Sequence, residues 1–422
     1  MSIQKIKISR VVQIAILVGA ISFMTLTPLL WHTLGLDFRL IWLAGKVWTE
    51  SASPYGPTFH ADYLTKWGAG PPMHFWVYPP TWYEISRVMA EFSYQRAAYI
   101  WFALSIAMTV VGSVLIAKSF ADVKEQAWTV TAFLAAIWLS HASLWNLSIG
   151  QTSAFALLGA GLLCIADKTE SRAARVAGLM ISLFKPNIGL FLVLFYAVQR
   201  RHWREVALVG VLTALLVAPL FATHQLGEFR EFLDATKRYG DPKMWANDFS
   251  ESTGVSQIVS FFGIYQSELI RSLTMIAAGL VAIALGLSGR RLPDGMGLPL
   301  LVAAILLFVP LHSYDQTLIA VPIGYALFKG GQVQETVLAA LLVTRSLTSA
   351  KLTHIRNLHA KVFYDSPLYL LAGLIVVVAI LQMQSAGGDR SSDNRASDSD
   401  VLLRVTRLAK ARIRSAWGAV RQ

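Results

Sequence analysis

The sequence contains almost no cysteine: Cys164 is the only one in 422 residues, and it lies within an apolar run. An intramolecular disulfide is therefore impossible, and thiol chemistry is not expected. Long alternations of apolar and polar residues are also missing, which excludes membrane-spanning β-strands. Acidic residues are few, 25 against 37 basic ones, so the formal net charge is +12. Because the basic residues stand at the ends of apolar runs, this charge predicts membrane anchoring rather than nucleic-acid binding.

Long apolar runs are abundant, and 55% of the residues are hydrophobic. About 20 apolar residues are needed to cross a bilayer as a helix, and the first run, VVQIAILVGAISFMTLTPLLW, meets this length. We predict an all-α polytopic membrane protein with about 12 transmembrane helices. The remaining spans are predicted at residues 97–117, 126–140, 153–166, 174–186, 188–199, 205–222, 269–288, 297–313, 316–329, 335–350 and 366–384, several of them short enough to be broken helices.

Basic residues cluster in the short connections between these spans, on one side of the predicted membrane. They are Lys5, Lys7, Arg10, Lys118, Lys124, Lys168, Arg172, Arg175, Arg200, Arg201, Arg204, Arg290 and Arg291. Because short cytoplasmic loops are enriched in Lys and Arg, we predict that both termini are cytoplasmic. Two large loops, about 32–96 and 223–268, then lie on the extracytoplasmic side. The first apolar run is too long for a signal peptide and no small-residue cleavage site follows it, so we expect this helix to be retained.

The composition changes sharply after the last predicted span, which closes a membrane domain of residues 1–384. Residues 385–400 are polar and rich in serine, which is typical of a flexible linker. Residues 401–422 place apolar side chains near one helical face with arginines around them. This pattern predicts a basic amphipathic helix on the cytoplasmic leaflet, serving as an anchor or as a partner-binding element.

Three polar residues at the predicted outer face are candidates for function. Asp37, in LGLDFRLIWLAGKVW, follows the first span, where an aspartate is either a helix amino-cap or a functional carboxylate. Gln151, in LSIGQTSAF, lies between two spans and either joins helices or binds a ligand. Lys185, in ISLFKPNIGL, is either a snorkelling side chain or an anion ligand.

The order of short motifs resembles that of the GT-C glycosyltransferases of family 87. The matching stretches are DF at 37–38, YPP at 78–80, GQ at 150–151, KP at 185–186 and PLHSYDQTLIAVPI at 310–323. The resemblance covers most of residues 37–330 and implies a GT-C fold. It also implies an enzyme of the bacterial plasma membrane that takes a sugar from a polyprenyl phosphate carrier and transfers it with inversion, at the extracytoplasmic face, to a lipid or glycan acceptor. The family includes mannosyl- and arabinofuranosyltransferases, so we expect mannose first and arabinofuranose next.

The resemblance assigns the catalytic base to Asp37, and the chemistry is consistent with one carboxylate. Displacement at an anomeric carbon needs a base for the acceptor hydroxyl, whereas a phosphate leaving group needs only cations and amides to stabilise it. Lys185 is the first candidate for that role. Together with it, we expect Gln151, His312, Arg345 and Arg356 to bind the donor phosphate or carrier, and Tyr78, Tyr314, Asp315 and Gln316 to bind the sugar or acceptor.

We predict no cofactor and no essential metal, because no cytoplasmic loop is large enough for a nucleotide-sugar domain with a paired-aspartate metal site. The basic stretch at 345–361 lies on the predicted outer side, and contact with carrier phosphate or with anionic headgroups explains it equally well. The competing function is a polyprenyl-linked-sugar flippase or transporter. Transporters commonly show repeated halves, and no internal repeat is evident here. A non-catalytic scaffold would leave the ordered polar motifs unexplained.

Overall fold

A computed structural model describes residues 10–30, 34–56, 58–68, 76–122, 126–224, 227–239, 252–255, 268–288, 292 and 295–329. The predicted spans at 335–350 and 366–384 lie outside these described residues. So do Arg345, Arg356, the predicted linker 385–400 and the predicted helix 401–422.

The described residues are almost entirely helical, which confirms the all-α part of the predicted fold class. The helices are α1 Arg10–Leu30, α2 Phe38–Thr49, α3 Thr58–Trp67, α4 Tyr83–Ala90, α5 Tyr94–Phe120, α6 Ala127–Trp138, α7 His141–Ile149, α8 Ser153–Thr169, α9 Arg172–Leu183, α10 Pro186–Ala197, α11 Trp203–His224, α12 Gly227–Tyr239, α13 Glu268–Leu287, α14 Gly297–Phe308 and α15 Ala320–Lys329. Short 3-10 helices cover Pro80–Trp82, Arg200–His202 and Ser313–Ile319. Two-residue strands, β1 Ser252–Thr253 and β2 Leu311–His312, pair antiparallel with Ser252 opposite His312.

Four helical segments of the described chain are long and apolar enough to cross a membrane: Arg10–Leu30, Tyr94–Phe120, Arg200–Thr223 and Leu269–Leu287. A fifth span results if α6 and α7, bent by 46° at their junction, count as one. Several other predicted spans are shorter helices. For example, α9 and α10 have 12 residues each, and helices of that length reach only about 18 Å. The described residues therefore support a membrane-embedded helical protein but not the count of about twelve spans.

The centre of the helical assembly depends on close approach between α5 and α8. A Cβ atom added to Gly112 would lie 2.9 Å from the carbonyl oxygen of Leu157, and one added to Gly161 would lie 2.5 Å from the carbonyl oxygen of Gly112. Any side chain at these positions would push the two backbones apart. Small residues at such contacts are the usual means of close helix packing in membranes, where dispersion contacts rather than the hydrophobic effect hold helices together.

The predicted loop 32–96 folds as the short helices α2, α3 and α4, which pack around a buried cluster of aromatic side chains. This aromatic cluster includes Phe38, Trp42, Trp48, Tyr55, Trp76, Trp82, Tyr83 and Trp101. Buried indole N–H groups usually need acceptors. Those of Trp42, Trp82 and Trp101 donate to backbone carbonyls, whereas those of Trp48 and Trp76 have no hydrogen-bond partner among the described residues. Trp82 Nε1 donates to the oxygen of Phe184 at 2.9 Å, and Trp42 Nε1 donates to the oxygen of Phe92 at 3.0 Å. Trp82 therefore ties this loop to the end of α9, whereas Trp42 ties α2 to the connection between α4 and α5.

Candidate active site

The backbone fixes Asp37 against the end of α7. Its N–H donates to the carbonyl oxygen of Ile149 at 2.7 Å, and the N–H of Gly35 donates to that of Ser148 at 2.8 Å. Although Asp37 directly precedes α2, its side chain makes no capping hydrogen bond to that helix. The amino-cap interpretation is therefore not what the structure shows, and the carboxylate is directed elsewhere.

The carboxylate of Asp37 accepts a hydrogen bond from the side-chain amide of Gln151. The other end of that amide, Oε1, accepts from the backbone N–H of Thr152 at 3.2 Å. Because a backbone N–H can only donate, this second contact fixes the orientation of the amide and places its NH2 group toward Asp37. Gln151 therefore serves as a fixed donor to the carboxylate.

Gly150 allows the turn between α7 and α8 to come this close to Asp37. It has a left-handed backbone with φ +75°, and an added Cβ would lie 2.8 Å from the Cβ of Phe38. Either feature favours glycine, and the two together require it. The carbonyl oxygen of Gly150 also accepts from Trp101 Nε1 at 2.9 Å. Trp101 in turn stacks on Phe38 with ring centroids 5.1 Å apart.

Lys185 stands at the break between α9 and α10. Proline follows it at position 186, and because proline has no N–H and restricts the residue before it, α9 cannot continue through this point. Lys185 has φ −121° and ψ 83°, which is not helical, and its carbonyl accepts from the N–H of Ile188 and Gly189 at 3.0 and 2.9 Å. The break turns the ammonium group into the interior, where only 7% of the residue is exposed.

The ammonium group of Lys185 forms an ion pair with Asp315 and donates to Ser153 Oγ at 2.8 Å. Ser153 Oγ donates in turn to Asp315 Oδ1 at 2.5 Å, and Asp315 Oδ2 accepts from the backbone N–H of His312 at 3.2 Å. The ring of Tyr314 lies 4.8 Å from Lys185 Nζ. Residues 151 to 153 thus link two polar pairs, since Gln151 contacts Asp37 and Ser153 contacts Lys185 and Asp315.

Burial raises the pKa of Asp37 from its usual 3.8 to about 6. The hydrogen bond from Gln151 and the nearby charge of Lys185 both lower this pKa, but they do not outweigh the loss of hydration. A carboxylate with a pKa near 6 is ionised at neutral pH and is still basic enough to accept a proton.

The other predicted site residues are placed as follows. Asp315 is 1% exposed, and both its oxygens are already bonded within the protein. The ring of His312 lies 5.2 Å from that of Tyr314, and Gln316 is half-buried on the same 3-10 helix as Tyr314. Tyr78 is half-buried in the aromatic cluster, with its ring 5.7 Å from Trp82. Their assignments to donor, sugar or acceptor remain predictions.

Sequence reasoning missed Ser153 and the two anchoring tryptophans, Trp82 and Trp101. Ser153 begins α8, two residues after Gln151, and lies in the LSIGQTSAF stretch whose candidate residue is the glutamine. A hydroxyl at the start of an apolar helix is the signal that would have identified it. The tryptophans carry no such signal, because a tryptophan in an outer loop is equally typical of the membrane interface.

No group of three or more His, Cys, Asp or Glu side chains that could hold a metal ion occurs within the part of the chain that the structure describes. The expectation that no metal is required therefore stays a prediction, to be tested by experiment.

Comparison with known proteins places the site in a family context. The sequence profile of glycosyltransferase family 87 matches residues 76–313, more than half of the chain. The matched region contains Gln151, Ser153 and Lys185; it begins after Asp37 and ends before Asp315. No curated protein matches the chain.

Proposed function

The chain belongs to glycosyltransferase family 87, and we propose that it transfers a sugar from a polyprenyl phosphate carrier to a lipid or glycan acceptor with inversion. Membership of the family makes the protein a glycosyltransferase, and its apolar helices embed it in a membrane. The proposal adds the donor class and the sugar, which is mannose first and arabinofuranose second. It also adds the location: the extracytoplasmic face of a bacterial plasma membrane, with both termini cytoplasmic and about twelve spans.

In this proposal Asp37 is the general base. Its carboxylate accepts the proton of the acceptor hydroxyl as the oxygen attacks the anomeric carbon, and the bond from that carbon to the phosphate oxygen breaks. The observation that carries the proposal is that Asp37 does not cap its helix but meets Gln151 beside Lys185. Gln151 holds one carboxylate oxygen, which leaves the other oxygen to face the acceptor.

Lys185 is proposed to stabilise the departing polyprenyl phosphate. An ammonium group has three N–H donors, and in the described residues two of them are used, by Ser153 and Asp315. The third donor remains for a phosphate oxygen. Asp315 and Ser153 keep the ammonium in place before the donor binds, so that little reorganisation is needed as negative charge develops on the leaving group. His312, whose backbone N–H donates to Asp315, is proposed to complete the donor side. Tyr314, whose ring lies 4.8 Å from Lys185 Nζ, is proposed to contact the sugar or acceptor.

Purified full-length protein in detergent, given a panel of radiolabelled polyprenyl-phosphate sugars and a membrane lipid extract, tests this proposal. We expect a labelled glycosylated product and free polyprenyl phosphate in equal amounts, also in excess EDTA. The Asp37→Asn variant, purified in parallel, should form neither. Movement of carrier across a bilayer without a new glycosidic bond would replace the transferase with a flippase, and strict dependence on a divalent metal would contradict the role given to Lys185.

A further inference from the structure

Three basic side chains converge on a pair of tryptophans carried by α2 and α3. Arg39, Trp42 and Lys46 are spaced by three and four residues along α2, so they share one helical face. The indole of Trp42 is fixed in place because its N–H donates to the oxygen of Phe92 at 3.0 Å and its ring packs edge-on against Tyr94. Trp42 therefore presents a rigid surface to the basic groups around it.

The third basic residue, Lys66, comes from the end of α3. Its Nζ lies 4.5 Å from the ring centroid of Trp42, and that of Lys46 lies 5.4 Å from the same centroid. Lys66 Nζ is also 5.6 Å from the ring of Trp67, and the guanidinium carbon of Arg39 is 5.5 Å from that ring. Arg39, Lys46 and Lys66, hereafter the cation cluster, are thus gathered around two neighbouring indoles.

Aromatic rings fix the positions of these cations but do not neutralise them, because a ring has a quadrupole and no net charge. Among the described residues, no carboxylate lies within 4.0 Å of a nitrogen of the cation cluster. Glu50 and Asp62 are each four positions from a lysine of the cluster, but their carboxylates also lie beyond 4.0 Å from its nitrogens. Three like charges held together without a counter-charge repel one another, and a bound anion would relieve that repulsion.

Arg87 on α4 is a basic residue that has both an aromatic contact and a carboxylate partner, and it serves as a comparison. Its guanidinium carbon lies 5.1 Å from the ring of Tyr83, so it makes the same kind of aromatic contact. Unlike the cation cluster, it also pairs with a carboxylate, that of Glu84, at 3.9 Å. A basic side chain can therefore have an aromatic contact and a carboxylate partner together. Among the described residues, the cation cluster has the aromatic contacts without the carboxylate.

We propose that the cation cluster binds the phosphate group of an anionic membrane lipid. Indole and phenol rings favour the level of the lipid headgroups, and lysine and arginine near that level attract anionic lipids. Lys66 is exposed and Lys46 and Arg39 are half-buried, so the cluster is open to solvent chiefly at Lys66, where a headgroup would enter. The site does not depend on the reaction proposed for Asp37 and Lys185.

Native mass spectrometry of the purified full-length protein, in detergent with equal amounts of phosphatidylglycerol and phosphatidylcholine, measures the preference for the anionic lipid. We expect Lys46→Gln and Lys66→Gln each to reduce this preference about fivefold, and the double variant about 30-fold. Arg87→Gln removes one charge from a neighbouring aromatic contact and is the matched control, with the preference unchanged. If the double variant does not fold, the exposed Lys66→Gln change carries the test alone.

A second arm separates a lipid phosphate from a free one. Inorganic phosphate is titrated against bound phosphatidylglycerol, and we expect it to compete only weakly, because it lacks the acyl chains that hold the lipid at the interface. An unchanged preference in the lysine variants would overturn the proposal. So would an equal loss in Arg87→Gln, which would mean that general surface charge explains the binding, or tight binding of inorganic phosphate without any preference among lipids.

Discussion

Two polar networks in this protein are built from similar residues but differ in how many carboxylates surround the cation. In the candidate active site, one ammonium group, that of Lys185, pairs with one carboxylate, that of Asp315. A second carboxylate, Asp37, receives only an amide from Gln151 and a weaker influence from Lys185. The network therefore has a donor and an acceptor to spare, and these are what a reaction requires.

The second network surrounds Arg175 between α8, α9 and α11. Its guanidinium, 1% exposed, lies 3.6 Å from Asp167, 3.5 Å from Glu205 and 4.0 Å from Glu170. It also donates to the carbonyl oxygen of Ala166 at 3.2 Å. One cation is thus enclosed by three carboxylates and a carbonyl, which is the arrangement of a structural joint. The Arg175 network is not the more fully hydrogen-bonded of the two, because Arg175 Nε and Asp167 Oδ1 are buried without a hydrogen-bond partner among the described residues. The comparison instead teaches that the two networks differ in the number of carboxylates around the cation, three near Arg175 and one paired with Lys185.

The largest expected effect separates the two networks by activity. Asp37→Asn should lower turnover about 100- to 10,000-fold, because the amide keeps the shape of the carboxylate but cannot accept a proton. Its melting temperature should not fall. The raised pKa of Asp37 means that ionisation is disfavoured in the folded state, so above pH 4 or so the charge destabilises the fold and an uncharged residue relieves it. Near-normal turnover in a radiolabel assay would remove Asp37 from the mechanism.

The next effect tests whether Lys185 acts on the leaving group or only neutralises Asp315. Lys185→Ala should reduce turnover about 100- to 1,000-fold, as for the loss of one preorganised donor, and should also lower the melting temperature because Asp315 is left buried and unpaired. Adding Asp315→Asn should restore the melting temperature but not the turnover. If the double variant regained both, Lys185 would be structural, like Arg175.

Arg175→Ala should change stability instead of chemistry. Removing this guanidinium takes a cation from the partly buried Asp167 and, among the described residues, leaves the buried Glu205 with only the exposed Arg172 as a cation. Breaking a fully buried ion pair typically costs about 3–5 kcal/mol, which is the upper bound here. We expect a large fall in the melting temperature in detergent, while the folded fraction keeps the KM and turnover of the parent protein. A turnover defect as large as that of Asp37→Asn, at unchanged melting temperature, would contradict the distinction between the two networks.

The sequence motifs name residues that the structure places close together, but not the contacts between them. Asp37, Gln151 and Lys185 were identified from motifs, and the structure brings all three together. Asp315 was also identified, but its bond to Lys185 joins residues 130 positions apart, and no local pattern encodes such a contact. Arg175 shows a second limit of sequence analysis. The pattern of basic residues predicts that it lies in a short cytoplasmic connection, whereas the structure buries it within α9.

Helix breaks explain the part of the fold that hydropathy did not predict. The predicted spans 174–186 and 188–199 separate near Lys185, as do the two 12-residue helices of the structure. Hydropathy alone assigns no reason for the break, and that reason is the proline. Likewise, α6 and α7 form an apolar stretch that bends by 46°. Hydropathy measures only how apolar a segment is, so it does not show where a polar side chain requires the helix to open.

The smallest expected effect is a shift in the pH dependence of kcat/KM, which tests whether the pKa of Asp37 responds to one network and not to the other. The base must be ionised to act, and the pKa of Asp37 is about 6, so kcat/KM should be level above pH 7 and fall about tenfold per pH unit below pH 6. Because the charge of Lys185 lowers the pKa of Asp37, the residual activity of Lys185→Gln should show this fall at a higher pH. Arg175→Gln, which removes a cation from the other network, should leave the position of the fall unchanged. A pH profile that moved equally in both variants would show that Asp37 responds to the net charge of the protein rather than to Lys185 as its neighbour.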